Sequence, residues 1–174
     1  MSIQPSTFVL KKADFGDGLA EYTLLQSMPE ENGFMNDAYS IPYEAFPAWL
    51  ARCMDFASGK DLPDGFVPQT TFWFYADGVP VGRAKLRHRL NDALLRSGGH
   101  IGYGISPGHR GKGYATVMLR MVLAEANALG IDRALITINT GNTSSRAVAE
   151  KCGAVLENIE DGHCRYWIDT SSAL

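Results

Sequence analysis

The run Ile101-Gly-Tyr-Gly-Ile-Ser-Pro-Gly-His-Arg-Gly-Lys-Gly-Tyr-Ala115, continued by apolar residues to Leu129, constrains the fold more than any other part of the chain. It reads as a strand, a glycine-rich loop and the start of a helix. The first N–H groups of a helix have no intrahelical acceptor and sit at the positive end of its macrodipole, so a loop stripped of side chains there makes an anion cradle. Gly111 and Gly113 do the stripping, and Arg110 and Lys112 add full positive charges beside the bare amides. Phosphate fits such a cradle. The Gly-Lys-Ser/Thr ending of a P-loop is missing, and so is the Gly-x-Gly-x-x-Gly opening of a dinucleotide fold. A plain glycine-rich turn capping a core helix is the alternative.

Periodicity supplies elements on either side. Residues 8–11 are a short strand candidate, and Leu19, Tyr22, Leu25 and Met28 recur at a three-residue spacing that predicts a helix stopped by Pro29. Phe46, Trp49, Leu50, Cys53, Met54 and Ala57 form a second apolar stripe that ends at Ser58-Gly59, before a turn-rich loop over 60–68. Residues 70–76 and 79–88, rich in aromatic and β-branched types, flank Asp77-Gly78 as a hairpin. In the second of these strands Arg83, Lys85 and Arg87 alternate onto one face, expected to be solvated, opposite Ala84, Leu86 and a core histidine, His88.

Residues 90–99 read as a polar loop leading to a strand that begins at His100. Alternation places Ile101, Tyr103 and Ile105 on one face of that strand and His100, Gly102 and Gly104 on the other; glycines in mid-strand mark a bulge or the close approach of a backbone or ligand. A helix over 113–129 closed by Gly130 and a buried strand over 134–139 follow, and this order predicts a right-handed crossover to a parallel pairing. Asn142 caps a further helix through Lys151, closed by Gly153, and residues 154–159 and 164–169 form a terminal hairpin about Asp161-Gly162.

With 174 residues, 45% of them apolar, and a formal charge of −3, the chain is expected to be a single domain, 1–174, with one proper core. Neither a basic face nor a charge block appears, which argues against a nucleic-acid or membrane-surface partner. Cys53, Cys152 and Cys164 are odd in number and lack a Cys-x-x-Cys pair, so they read as reduced thiols and not as a disulfide framework or zinc site. The opening Met-Ser-Ile-Gln-Pro-Ser-Thr has no apolar leader core and no stretch reaches the length of a membrane span, so a cytoplasmic location is expected.

The pattern Arg110-x-x-Gly113-x-Ala115 after a strand resembles the acyl-CoA pyrophosphate loop of the GCN5-related N-acetyltransferases, the GNAT family. A second stretch, Asn142-x-x-Ser145-x-x-x-Ala149-x-Lys151-x-Gly153, resembles that family's Asn-x-x-Ala/Ser-x-x-x-Tyr-x-Lys-x-Gly-Phe motif, and Leu86-Arg-His88 and Gly98-Gly-His-Ile-Gly-Tyr103 resemble a bacterial branch of it. The likeness in element order and spacing covers nearly the whole chain. It implies an α/β fold: a GNAT-like mixed sheet of about seven strands with a splayed central parallel pair, and about four helices.

The resemblance also implies a chemistry: transfer of acetyl from acetyl-CoA, a cosubstrate, to a primary amine of a small molecule or peptide by direct attack on the thioester, with no metal. Its implied CoA contacts are the Ile105 backbone N–H on the thioester oxygen, Arg110, Gly111, Lys112, Gly113, Tyr114 and Ala115 around the diphosphate, and Asn142 and Ser145 on the pantetheine arm, unless these two serve only as helix caps. His100 stands where the family often has a glutamate base, and an imidazole with a pKa of about 6.5 is suited to that task; the other reading is a strand-start histidine bonded to a loop carbonyl. Ala149 replaces the family's tyrosine acid, which leaves Tyr103 as a candidate acid or a core residue, and Cys152 as an acyl carrier or an inert thiol.

Acceptor specificity is implied to come from the early helices and the segments 33–40 and 60–69, with Phe34, Tyr39, Tyr43 and Phe66 as candidate lining. Two other readings stand beside this one: an acyl-CoA sensor without turnover, and an α/β domain for a different phosphorylated ligand. Both a monomer and a homodimer are compatible with the sequence.

Overall fold

In the computed structural model, which describes residues 6–173, the chain runs β1 (Phe8–Lys12), α1 (Leu19–Gln26), α2 (Phe46–Ser58), β2 (Gln69–Ala76), β3 (Val79–Arg87), α3 (Asp92–Arg96), β4 (Ile101–Ile105), α4 (Tyr114–Ala128), β5 (Arg133–Asn139), α5 (Thr143–Lys151), β6 (Val155–Glu160) and β7 (His163–Asp169). Met1–Pro5, where the sequence shows no leader core, lie outside the described residues. Both Asp-Gly hairpins form as expected. Asp77 and Gly78 have φ of 50° and 79°, Asp161 and Gly162 have 49° and 77°, and two successive left-handed residues give the turn twist that matches paired strands.

Helix α3 falls in the stretch expected to be a polar loop. Its signal is a cap and not a period: the Asn91 side chain accepts from the Leu94 N–H at 3.0 Å, with Asp92 in the first turn and Arg96 in the last. Five residues are too few for hydrophobic periodicity to register. In α1 the buried face is Leu24, Leu25 and, just past its end, Met28, whereas Leu19, expected on that face, is exposed.

The seven strands divide into two sheets, ordered β1-β2-β3-β4 and β5-β7-β6, every ladder in them antiparallel. The expected parallel ladder between β4 and β5 does not form. The backbones meet just ahead of β4, where the His100 N–H donates to the Leu135 carbonyl at 2.7 Å and the Leu135 N–H donates to His100 Nδ1 at 3.0 Å, and the Gly98 N–H donates to the Thr137 hydroxyl at 2.7 Å beside them. From there both advance toward the same loop: Phe34 lies over Gly104 near the end of β4, and Gly33 lies beside Asn139 at the end of β5. They therefore run in the same direction and are splayed.

Glycine makes the junction possible. Gly99 has φ of +59°, and a Cβ there would sit 2.4 Å from the Leu135 carbonyl oxygen, so no other residue fits without displacing β5. Across the split, α4 supplies the continuity. Met118, Leu119, Val122, Leu123 and Ala126 are fully buried against Phe72, Phe74 and Ile101 of one sheet and Ala134, Ile136 and Tyr166 of the other. Each of the four larger side chains stabilises by about 1.5–3 kcal/mol, so the halves are held as one core without strand pairing. On the opposite face of the first sheet, α1 and α2 pack Leu25, Phe46, Trp49 and Leu50 around Trp73. Among the described residues no helix is long and apolar enough to cross a membrane.

Candidate active site

Ladder alternation decides what faces the gap. Between β3 and β4 the Arg87 N–H donates to the His100 carbonyl at 2.7 Å and the Ser106 N–H to the Val81 carbonyl at 2.9 Å. Counting inward by twos, Gly102 and Gly104 bond to β3, and the backbone groups of Ile101, Tyr103 and Ile105 point to the other edge. On β5 the bonds of Thr170 to Asp132 at 3.0 Å and of Thr140 to Gly162 at 2.9 Å leave Leu135, Thr137 and Asn139 facing β4 by the same count. Two open backbone edges thus wall a cleft of about 740 Å³.

One side of the cleft carries the glycine loop. Gly111 and Gly113 adopt φ of 76° and 77°, Gly113 caps α4 with no side chain, and among the described residues no protein acceptor serves the N–H groups from Gly111 to Ala115. A Cβ at either glycine would meet no atom within 4 Å, so the left-handed backbone demands glycine and the space above the amides is open. Tyr114 anchors the helix start, its ring edge-on to Phe8 at 5.6 Å.

The two basic residues of the loop behave differently from expectation. Arg110 turns back, its Nε donating to the Ile105 carbonyl at 3.0 Å and its guanidinium pairing with Glu31, and Lys112 is exposed with Nζ 5.9 Å above the Tyr114 ring. Ala115 lines the cleft below them.

Across the gap, Asn142 caps α5 by accepting the Ser145 N–H at 3.2 Å, and the Ser145 hydroxyl lies 2.9 Å from the Tyr103 hydroxyl. Tyr103 therefore packs against the core, as alternation implied, and also bridges β4 to α5 on the cleft wall. Burial, only partly offset by the Ser145 bond, pushes its phenol up to about 12, so it stays protonated and available as a donor.

His100 does not fit the role of base. It is 7% exposed and off the cleft wall, and its Nδ1 lone pair is engaged by the Leu135 N–H. Burial first, then the Arg87 charge, lowers it to about 4, so it is a neutral clamp between the sheets. Ala149 is fully buried on the core face of α5, where no hydroxyl reaches the cleft. Cys152 is buried, its thiol pushed up by desolvation and directed 3.7 Å to the Thr116 carbonyl, which describes an inert thiol. Among the described residues no group of three or more His, Cys, Asp or Glu side chains is placed to hold a metal ion.

Two features escaped the sequence. His163, at the start of β7, lines the cleft with Nδ1 donating to the Asp161 carbonyl at 3.0 Å, which leaves Nε2 as an acceptor. The stripe Arg83, Lys85 and Arg87 is not solvated: all three line the cleft and Arg83 is 1% exposed. Alternation shows which residues share a face but not what covers it, and here the loop after α1 covers it. The register held the clue, because Arg83 pairs with Gly104 and Lys85 with Gly102. Of the aromatics implied as lining, Phe34 alone reaches this cleft, segment 60–69 contributes nothing to it, and His88 bonds the Thr70 hydroxyl at 2.8 Å beyond the end of β3.

No curated protein matches the chain in sequence. Residues 11–155 match the family described as the Acetyltransferase (GNAT) domain. Among solved structures, RimJ of Mycobacterium smegmatis in complex with a CoA disulfide is 22% identical, with 95% of this chain and 86% of that one covered and a TM-score of 0.70. The ribosomal alpha-N-protein acetyltransferase RimL in complex with coenzyme A is 16% identical, covers 94% of each chain and has a TM-score of 0.71. YncA of Salmonella typhimurium, with acetyl-CoA, is 15% identical over 94% of each chain at a TM-score of 0.59. Those identities establish a shared fold, and the family match spans most of the chain: this protein belongs to the GNAT acetyltransferase family.

Proposed function

We propose that the protein is an acetyl-CoA-dependent N-acetyltransferase that passes the acetyl group directly to a primary amine of a small molecule or peptide. The observation that carries this reading is the pair of unpaired strand edges leading to an uncapped helix start. The bare amides from Gly111 to Ala115 take the diphosphate, Arg110 and Lys112 supply charge at its margin, and the edge groups of β4 and β5, with Asn142 and Ser145, take the amides of the pantetheine arm. Acetyl-CoA brings the activated thioester; the chain's part is to fix it and to handle protons.

The Ile105 N–H, with that of Tyr103 next along the same edge, donates to the thioester oxygen as negative charge grows there. The amine nitrogen bonds to the carbonyl carbon, the C–S bond breaks, and the amine's proton passes to His163 Nε2, directly or through water, in place of His100. Tyr103, at about 12, is too weak an acid to transfer its proton to a thiolate whose thiol has a pKa of about 8.5, so it and Ser145 act as hydrogen-bond donors to the departing sulfur. A cytoplasmic location fits this cosubstrate.

Calorimetric titration with acetyl-CoA, followed by a thiol-release assay over a panel of amines, tests the reading. Saturable binding and turnover with one class of amine are expected. Binding without thioester loss across the panel favours a sensor, the reading that Ala149 motivates; no binding refutes both.

A further inference from the structure

The acceptor side of the cleft carries a charge surplus that the acetyl-transfer reading does not use. Cross-strand neighbours share a face, so Arg83 and Lys85 stand beside Gly104 and Gly102 on the face opposite α4. Phe34 covers Gly104, but above Gly102 there is open space: a Cβ there would meet no atom within 4 Å. Lys85 therefore borders a chamber. Arg87 borders the same cleft, its guanidinium donating to the Gly98 and Gly99 carbonyls at 3.1 and 3.2 Å.

Arg83 donates to Asn36 Oδ1 at 3.2 Å and to the Met35 carbonyl, and its ring partner Phe34 lies 4.9 Å away, yet its buried Nε has no partner. Counter-charge is thin. Asp37 lies 3.8 Å from Lys85 and 4.0 Å from Arg83 but is half-exposed and shared with Arg52 at 3.2 Å, and Glu30 is engaged by the Asn36 N–H at 3.0 Å. Burial, followed by the repulsion of Arg83, lowers Lys85 to about 8, and the half-exposed Asp37 carboxylate offsets this only in part. The chain carries a net charge of −3, so three cations lining one cleft run against its overall balance.

We infer that the acceptor is an amine bearing an anionic group, a carboxylate or a phosphate, which seats against Lys85 and Arg87 while its amine faces the thioester. This rests on the acetyltransferase reading and narrows its substrate class. A buried cation left without an anion loses more than a rim charge does, so the site discriminates against uncharged and polycationic amines.

Matched amines that differ only in charge provide the test: an amino acid against its amide, and an aminoalkyl phosphate against the corresponding aminoalcohol, with a linear triamine as the cationic control. The anionic member of one pair is expected to be preferred at least about ten-fold in kcat/KM, mostly through KM, and the pair that shows it identifies carboxylate or phosphate. Lys85→Gln is expected to erase most of that preference and Lys85→Arg to retain it. Equal or better use of the uncharged or polycationic amines, or a Lys85→Gln loss that is the same for both members of a pair, overturns the inference alone. Failure of acetyl-CoA to bind at all, seen by calorimetry, overturns the acetyltransferase reading and this inference with it.

Discussion

Replacing His100 with asparagine separates clamp from base. In the folded protein the imidazole lies at about 4, and in the unfolded chain at about 6.5. Between those values the unfolded chain binds a proton that the folded one does not, so stability is full above about pH 6.5 and falls as pH drops through about 4. At about 1.36 kcal/mol per pH unit, and discounted for residual solvent screening, the loss attributable to His100 is about 2–3 kcal/mol.

Asparagine presents an amide oxygen where Nδ1 accepts the Leu135 N–H, and it does not titrate. Urea unfolding at pH 7.5 and 4.5 is expected to show the two proteins similar at the higher pH, with the wild type losing about 2 kcal/mol more than His100→Asn on acidification. His100→Ala, which strands a buried N–H, costs about 1–3 kcal/mol at either pH. Acetylation by His100→Asn is expected to stay within a few-fold of wild type with the same acidic limb, whereas loss of a general base costs about 10²–10⁴-fold. A folded His100→Asn protein with kcat down a hundred-fold, or one with an unaltered pH dependence of stability, refutes the clamp.

Four further outcomes are expected. Gly113→Glu places a side chain at φ of 77° and a carboxylate in the cradle; the fold loses about 1–2 kcal/mol and acetyl-CoA affinity falls at least about a hundred-fold by calorimetry. Gly99→Ala drives a Cβ to 2.4 Å from the Leu135 oxygen, and thermal melting should report a loss of about 2–4 kcal/mol; a wild-type melt would show that the sheets are not joined there. Tyr103→Phe should lower kcat about ten-fold with little change in acetyl-CoA affinity, and because the phenol lies at about 12, neither protein should show a basic limb from it below pH 10. His163→Gln should lose about a hundred-fold in kcat/KM with acetyl-CoA affinity unchanged by calorimetry.

What the sequence disclosed was local. Gly111 and Gly113 announce a left-handed loop, Asp77-Gly78 and Asp161-Gly162 announce hairpins, and Asn142 announces a cap, because in each case the cause lies within a few residues of the effect. What it concealed depends on distant covering. Arg83, Lys85 and Arg87 read as a solvated stripe until the loop carrying Phe34 and Met35 is laid over them. The strand alternation of His100 was legible, but its partner Leu135 is 35 residues away and the bond that disarms it as a base cannot be read from spacing.

The gap between β4 and β5 poses a physical question of its own, since exposed strand edges tend to pair. Three features hold these two apart. Helix α4 is buried against both sheets, so closure must tear a shared core. The Tyr103 side chain crosses from β4 to Ser145 on α5 and ties the strand to that helix. The His100–Leu135 contact fixes the narrow end and thereby sets the angle of opening at the wide one. The Ile105 carbonyl is taken by Arg110 and the Asn139 carbonyl by the Asn142 N–H, and the Ile105 and Asn139 N–H groups with the backbone of Tyr103 and Thr137 are left facing a ligand-sized space, where their hydrogen bonds are completed by water or by an incoming chain. A ligand that brings its own amides to both edges and ends in a diphosphate satisfies the edges and the helix start together, which is why the arm of acetyl-CoA answers this cleft better than a free nucleotide does.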